Sequence, residues 1–192
     1  MGPLLDAIRN YITVSPEEEV IISGLFTEMP LKAGEYFLRE GQICRHVAFV
    51  ATGLVRYYIN YDGIEKTLFF SREGEFVSDY QSFLPQVGSR KNIQALEDTH
   101  LYVITRENLH RFYREVREGE RFGRLGIEDV FMVLMQQLDS LYLDTPEMRY
   151  RRFLELYSWL AQRIPQYYIA SYVGVRAPSL SRIRKRLASG GN

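Results

Sequence analysis

Leu54-Val55-Arg56-Tyr57-Tyr58-Ile59-Asn60-Tyr61-Asp62-Gly63-Ile64-Glu65-Lys66-Thr67-Leu68-Phe69-Phe70 is the stretch whose reading decides the fold class. Two runs rich in aromatic and β-branched residues flank Asp62-Gly63, a pair suited to the two positive φ angles of a type I′ turn. That pattern predicts a β-hairpin. Outward from it, from about Met29 to Thr105, further short apolar runs are separated by Lys32-Ala33-Gly34-Glu35, Glu40-Gly41-Gln42, Thr52-Gly53 and Arg72-Glu73-Gly74. Many short strands spaced by turns predict an antiparallel barrel, sandwich or jelly roll. Residues 1–26 read as helical. Ser15-Pro16-Glu17-Glu18 has the capping-box spacing with Pro in the first turn, and Val20, Ile21 and Leu25, with Ile22 beside them, recur on one face.

The period changes after Thr105. Glu107 to Val116 predicts a short helix, and a long one runs from about Glu120 to Asp144. Ile127, Phe131, Leu134, Leu138 and Leu141 stand at the alternating four- and three-residue spacing of a heptad seam. Val130, Met132, Val133, Met135 and Tyr142 widen the apolar surface beyond one seam, so this helix either packs on its own body and on a second chain or is an internal core helix. Thr145-Pro146 ends it. Glu147 to about Arg163 predicts a further helix burying Phe153, Leu154, Tyr157 and Leu160. The division expected is 1–118 for the β-rich body, 119–145 for the long helix and 146–192 for the tail.

Pro165 to Leu187 meets the steric demands of a helix-turn-helix. Ala170 is small where two helices cross, and Gly174, four residues on, can take the positive φ of a tight turn. Ile169, Val173, Val175, Leu180 and Ile183 are apolar on the inner sides, and Pro178 lies in the first turn of the second helix. Ser179, Arg182, Lys185 and Arg186 stay exposed on that helix, with Arg184 toward one side. Hydroxyls and guanidiniums so placed suit base edges and phosphates. The charge agrees. The chain of 192 residues is neutral overall, yet residues 1–148 carry −8 and residues 149–192 carry +8. A basic tail on an acidic body fits nucleic acid, and equally an exposed cationic helix or a membrane-surface patch.

Composition closes off other classes. Hydrophobic residues make up 46% of the chain, which excludes general disorder. The longest apolar run, Val130 to Met135, is far short of the ~20 residues of a membrane span. No signal peptide is visible, so a reducing cytoplasm is expected. Cys44, alone, forms no internal disulfide, and it cannot supply the four thiolates of an iron–sulfur cluster. His46, His100 and His110 have no metal-ligand spacing, and no catalytic constellation or P-loop is present. No metal and no enzymatic activity are expected.

A β-roll, a long heptad helix and a helix-turn-helix, in that order, resemble the cyclic-AMP-receptor / fumarate–nitrate-regulator (CRP/FNR) family of bacterial transcription factors. The likeness rests on Lys32 to Gln42, on Phe49-Val50-Ala51-Thr52-Gly53-Leu54-Val55-Arg56, on Ala95-Leu96-Glu97-Asp98-Thr99 and on Leu180-Ser181-Arg182-Ile183-Arg184-Lys185. The resemblance implies an α+β fold: a cyclic-nucleotide-binding antiparallel β-roll (jelly roll), a long dimerisation helix and a C-terminal (winged) helix-turn-helix. It implies a homodimer on palindromic double-stranded DNA, with RNA polymerase as a further partner and no membrane. In this register Gln166, Tyr167, Arg176, Ser181 and Lys185 suit phosphates, while Arg182 reads a base and Ser179 is a lesser reader. Ala177 and Pro178 stand where the family's other base readers stand and offer only apolar contact.

The pocket departs from the family. The Gly-Glu that engages the ribose falls on Ser78-Asp79, and the phosphate-binding Arg and its Ser/Thr fall on Ser89 and Arg90. Asp79 is one methylene shorter than Glu, and Ser89 carries no charge. Losing a charge-assisted Arg–phosphate interaction costs roughly 1.5–3 kcal/mol or more. A small-molecule effector of unassigned identity, rather than cyclic AMP, is therefore expected. The other reading is a sensor module of the same β-roll that controls a protein partner, with the basic tail as a docking surface.

Overall fold

The computed structural model describes residues 1–189. In chain order its elements are α1 (Gly2–Arg9), α2 (Pro16–Leu25), β1 (Thr27–Leu31), β2 (Tyr36–Leu38), β3 (His46–Thr52), β4 (Leu54–Tyr61), β5 (Ile64–Arg72), β6 (Phe76–Val77), α3 (Tyr80–Phe83), β7 (Asn92–Ala95) and β8 (Thr99–Thr105). Helices follow: α4 (Arg106–Glu115), α5 (Gly119–Leu143), α6 (Pro146–Tyr157), a 3-10 turn (Ser158–Leu160), α7 (Gln166–Val173) and α8 (Ala177–Ala188). The expected α+β class holds. Two four-stranded sheets have the orders β1-β8-β3-β6 and β2-β7-β4-β5, and the registered pairs are antiparallel. No strand follows Thr105 among the described residues.

The chain divides into two compact units, Met1–Ile59 with Phe69–Val130, and Asn60–Leu68 with Phe131–Asn192. The division cuts α5 rather than falling at either of its ends, and it gives the turn of the hairpin to the second unit. Asp62 (φ 52°) and Gly63 (φ 75°) both take the left-handed region, as a type I′ turn requires.

In the first unit Phe49, Leu54, Val55, Ile93 and Leu101 form a core without solvent contact. Arg56 lies among them at 1% exposure, its guanidinium 4.5 Å from the centre of the Tyr58 ring. Gly53 is forced. Its φ is +102°, and a Cβ there would stand 2.4 Å from Thr99 Oγ1 and 2.7 Å from Thr99 Cα. The Ser15 capping box forms, and its Glu18 reaches further: one carboxylate oxygen accepts the Ser15 N–H (2.9 Å) and the other the Arg117 N–H (2.8 Å). These bonds hold the Glu18 carboxyl below its ordinary pKa. They also turn α2 so that Glu18, Ile22 and Leu25 face inward while Val20 is exposed, which corrects the face expected from Val20 and Ile21. Phe122, on the first turns of α5, packs against Tyr11, Phe76 and Phe112, so aromatic rings fill the space beside β6.

In the second unit α6 ends at Tyr157 and a 3-10 turn follows to Leu160, so the helix is shorter than the segment predicted to run to Arg163. Phe153 is fully buried and touches the rings of Tyr150, Tyr157 and Tyr172. Leu160, Ile169, Val173 and Leu180 complete this core, while Leu154 and Tyr157 are half-buried.

Gly53→Ala is expected to cost roughly 2–5 kcal/mol in urea unfolding, since positive-φ strain adds to the clash with Thr99. Gly63→Ala, with the same φ sign but open space around it, should cost only about 1–2 kcal/mol. Equal costs would show that Thr99 moves aside freely.

Candidate nucleic-acid interface and effector pocket

Gly174 closes the turn between α7 and α8 at φ 78°. The Val175 N–H donates to Ala170 O (2.9 Å) and the Gly174 N–H to Ser171 O (3.2 Å), which is the Schellman arrangement. Pro178 stands in the first turn of α8, whose inner side buries Leu180 and Ile183. Arg176, Ala177, Ser181, Arg182, Arg184, Lys185 and Arg186 are exposed along its other side, as are Gln166 and Tyr167 at the start of α7; Ser179 is half-buried. Except for the half-buried Ser179, every residue of the sequence-predicted set is thus open to solvent. Two of its cations are engaged: Arg182 Nη2 donates to Ser179 Oγ (3.3 Å), and Arg186 pairs with Glu147 (3.3 Å). Arg176, Arg184 and Lys185 carry no ion pair among the described residues.

The turn of the hairpin meets α7. The Ser171 hydroxyl donates to Glu65 O (2.8 Å) and accepts the Thr67 N–H (2.8 Å), so one side chain satisfies two backbone groups on β5, an edge strand. Gln137 Nε2 donates to Leu68 O (3.3 Å) and Tyr172 OH (3.2 Å). Burial pushes the Tyr172 phenol up against the opposing effect of its Gln137 and Tyr157 hydrogen bonds, so it stays neutral.

The seam residues Ile127, Phe131, Leu134, Leu138 and Leu141 are 43–65% exposed, and Gly119 is the one buried residue of α5. The internal-helix alternative is therefore excluded for the single chain.

In the first unit, the segment after β6 closes on the one before β7. Asp79, 3% exposed, accepts the Ser89 hydroxyl (2.7 Å) and Lys91 Nζ (2.5 Å). Lys91 Nζ also donates to Gln81 Oε1 (3.0 Å). Ser78 turns elsewhere, its hydroxyl donating to His46 O (3.1 Å). Arg90 is exposed. Of the four predicted pocket residues, Asp79 and Ser89 meet and the other two do not join them. The cation here is Lys91, which sequence reasoning missed, since no local pattern distinguishes it from Arg90. Burial pushes the neighbouring Tyr80 phenol up to about 12.

Residues 28–116 match the family model of the cyclic nucleotide-binding domain. FixK2 from Bradyrhizobium japonicum is 20% identical, with a TM-score of 0.72 over 86% of each chain. A CRP/FNR-family protein from Eubacterium rectale is 18% identical, with a TM-score of 0.72 over 94% of this chain and 89% of its own. The Thermus thermophilus catabolite activator protein is 23% identical, with a TM-score of 0.60 over 96% of this chain and 88% of its own. The chain has the CRP/FNR fold. No curated protein matches it.

At the predicted pocket the buried Asp79 is already neutralised by Lys91. A cyclic nucleotide is an anion, and its phosphate needs a cation it can approach. Here the partly buried cation is already paired with a carboxylate, and a phosphate would have to displace Asp79 or repel it. No helix among the described residues is long and apolar enough to cross a membrane.

Proposed function

We propose that the chain is a homodimeric, DNA-binding transcriptional regulator of the CRP/FNR type, whose β-roll takes an effector other than cyclic AMP. The observation that carries it is the exposed face of α8, presented beyond the left-handed Gly174 turn, with Arg176, Arg182, Arg184 and Lys185 facing solvent. In this reading Arg182 reads a guanine edge, Ser179 is a lesser reader, and Ala177 touches a thymine methyl. Gln166, Tyr167, Arg176, Ser181 and Lys185 position the helix on phosphates. The exposed seam of α5 supports a parallel pair of chains, which would set two recognition helices about 34 Å apart on successive major-groove faces. The catabolite activator protein named above and RNA polymerase as a promoter partner fit this reading. The alternative, a sensor acting on a protein through its basic tail, is separated from it by selection of bound sequences from random duplexes. A palindrome supports the DNA reading; no selected sequence and no salt dependence support the sensor.

Arg182→Ala is expected to cost about 1–3 kcal/mol on the selected duplex and to relax preference at one base pair. Lys185→Ala should weaken all duplexes alike and reduce the slope of log affinity against log salt by about 0.9. Uniform loss in both variants would make Arg182 a phosphate contact.

Leu134→Asp together with Leu138→Asp would place unpaired charge in the seam and should give monomers by sedimentation. A persisting dimer would put the interface elsewhere. Titration calorimetry with cyclic AMP should show no dissociation constant in the low micromolar range; such a constant would mean that the Asp79–Lys91 pair opens for the ligand.

A further inference from the structure

Two helix C-termini in the second unit converge on one side chain. Arg149, on the first turn of α6, donates from Nη1 to Asp144 O (2.8 Å), the residue just beyond α5, and from Nε to Val173 O (2.7 Å), the last residue of α7. The last four carbonyls of a helix lack partners within it, and the end of the helix dipole there favours a cation. At α7 the Schellman bonds take up Ala170 O and Ser171 O, and Arg149 takes Val173 O. Beside it, Asp144 is held a second time. Its carboxylate, 4% exposed, accepts Arg152 Nε (2.7 Å) and the Ser140 hydroxyl (2.6 Å). The joint from α5 to α6 is thus tied by both ends of Asp144, and the same guanidinium that ties it also holds the turn into α8.

We infer that Arg149 is a positioning residue that fixes the direction of α8 relative to the end of α5. This rests on the DNA-binding reading only where its consequence is an affinity. The physical reason is rigidity. A guanidinium is a planar fork whose donors keep a fixed angle, so it holds two carbonyls in one geometry. Only Gly174, Val175 and Arg176 separate the anchored Val173 from α8, so the orientation of the end of α7 is passed on to the exposed face of α8. Half-buried against these carbonyls, Arg149 does not belong to the exposed basic surface, although it lies in the basic tail.

The test compares Arg149→Met and Arg149→Lys with the unaltered full chain. Spin labels on cysteines introduced at the exposed Asp139 and Ala188, in dimers diluted with unlabelled chain, report the distance from α5 to the end of α8. Cys44 is buried and stays unlabelled. The expected result is a broadened or shifted distance distribution in both variants. Lysine should restore thermal stability, because it keeps the charge, without restoring the narrow distribution. Affinity for the selected duplex should fall about tenfold, with an unchanged salt slope because no phosphate contact is lost. If Arg149→Met does not fold, Arg149→Lys alone decides. An unchanged distribution overturns the inference, and so does a salt slope lower by one phosphate contact. If the unaltered chain binds no duplex, the DNA reading fails while the distance measurement still judges Arg149.

Discussion

Six consecutive apolar residues, Val130 to Met135, each stand 38–57% open to water on the middle of α5, and the rest of the architecture answers to that exposure. A single folded chain rarely leaves so continuous an apolar surface without a use. The helix cannot turn it inward. Consecutive helical residues point in all directions around the axis, so whichever face packs on the chain's own elements, others remain outside. The heptad stripe within the run is the part that a second, identical helix would cover best, since its spacing matches a two-stranded seam. The early turns of α5 are settled differently, by rings: Phe122 lies among Tyr11, Phe76 and Phe112, and the Tyr11 hydroxyl donates to Asp129 (2.6 Å).

The basic tail shows why a charge count overstates a nucleic-acid surface. Arg149 binds two backbone carbonyls, Arg152 is paired with Asp144, and Arg151 and Arg186 both pair with Glu147. Arg149, Arg152 and Arg186 reach from one helix to the end of another, while Arg151 pairs within α6. Among the described residues Arg176, Arg184 and Lys185 are left without an ion pair, and they lie on α8 and its approach. Arginine suits the structural task because its planar fork holds two acceptors at a fixed angle, which the rotatable lysine ammonium does not. Beyond the hairpin segment Asn60–Leu68, the described part of this unit is helical, and aromatic stacking around Phe153 and guanidinium bonds to helix ends tie it together.

The pocket follows the same economy of charge. Asp79 is almost fully buried, and an isolated carboxylate in that position would be costly. Lys91 and Ser89 offset the cost, and in doing so they use the donors that an anionic ligand would need. Neutralising Asp79 and recognising a phosphate would therefore compete for the same donors.

Local features were legible without the structure because they are local. Asp62-Gly63 and Gly174 announce positive φ, Ser15 to Glu18 announces a capping box, and the spacing from Ile127 to Leu141 announces a seam; each depends on backbone angles or periodicity within a few residues. The order of β-roll, long helix and helix-turn-helix followed from these. Charge partners did not, because they are chosen by segments that meet only after folding. Nothing around Asp79 in the chain says that Lys91 rather than Arg90 will reach it. Glu18 meets an N–H 99 residues away, and Ser171 meets the hairpin across more than 100 residues. The same holds for Arg149, which the sequence shows only as one more basic residue. Its role exists because three helices end or begin at one point, and that convergence is a property of the packed chain.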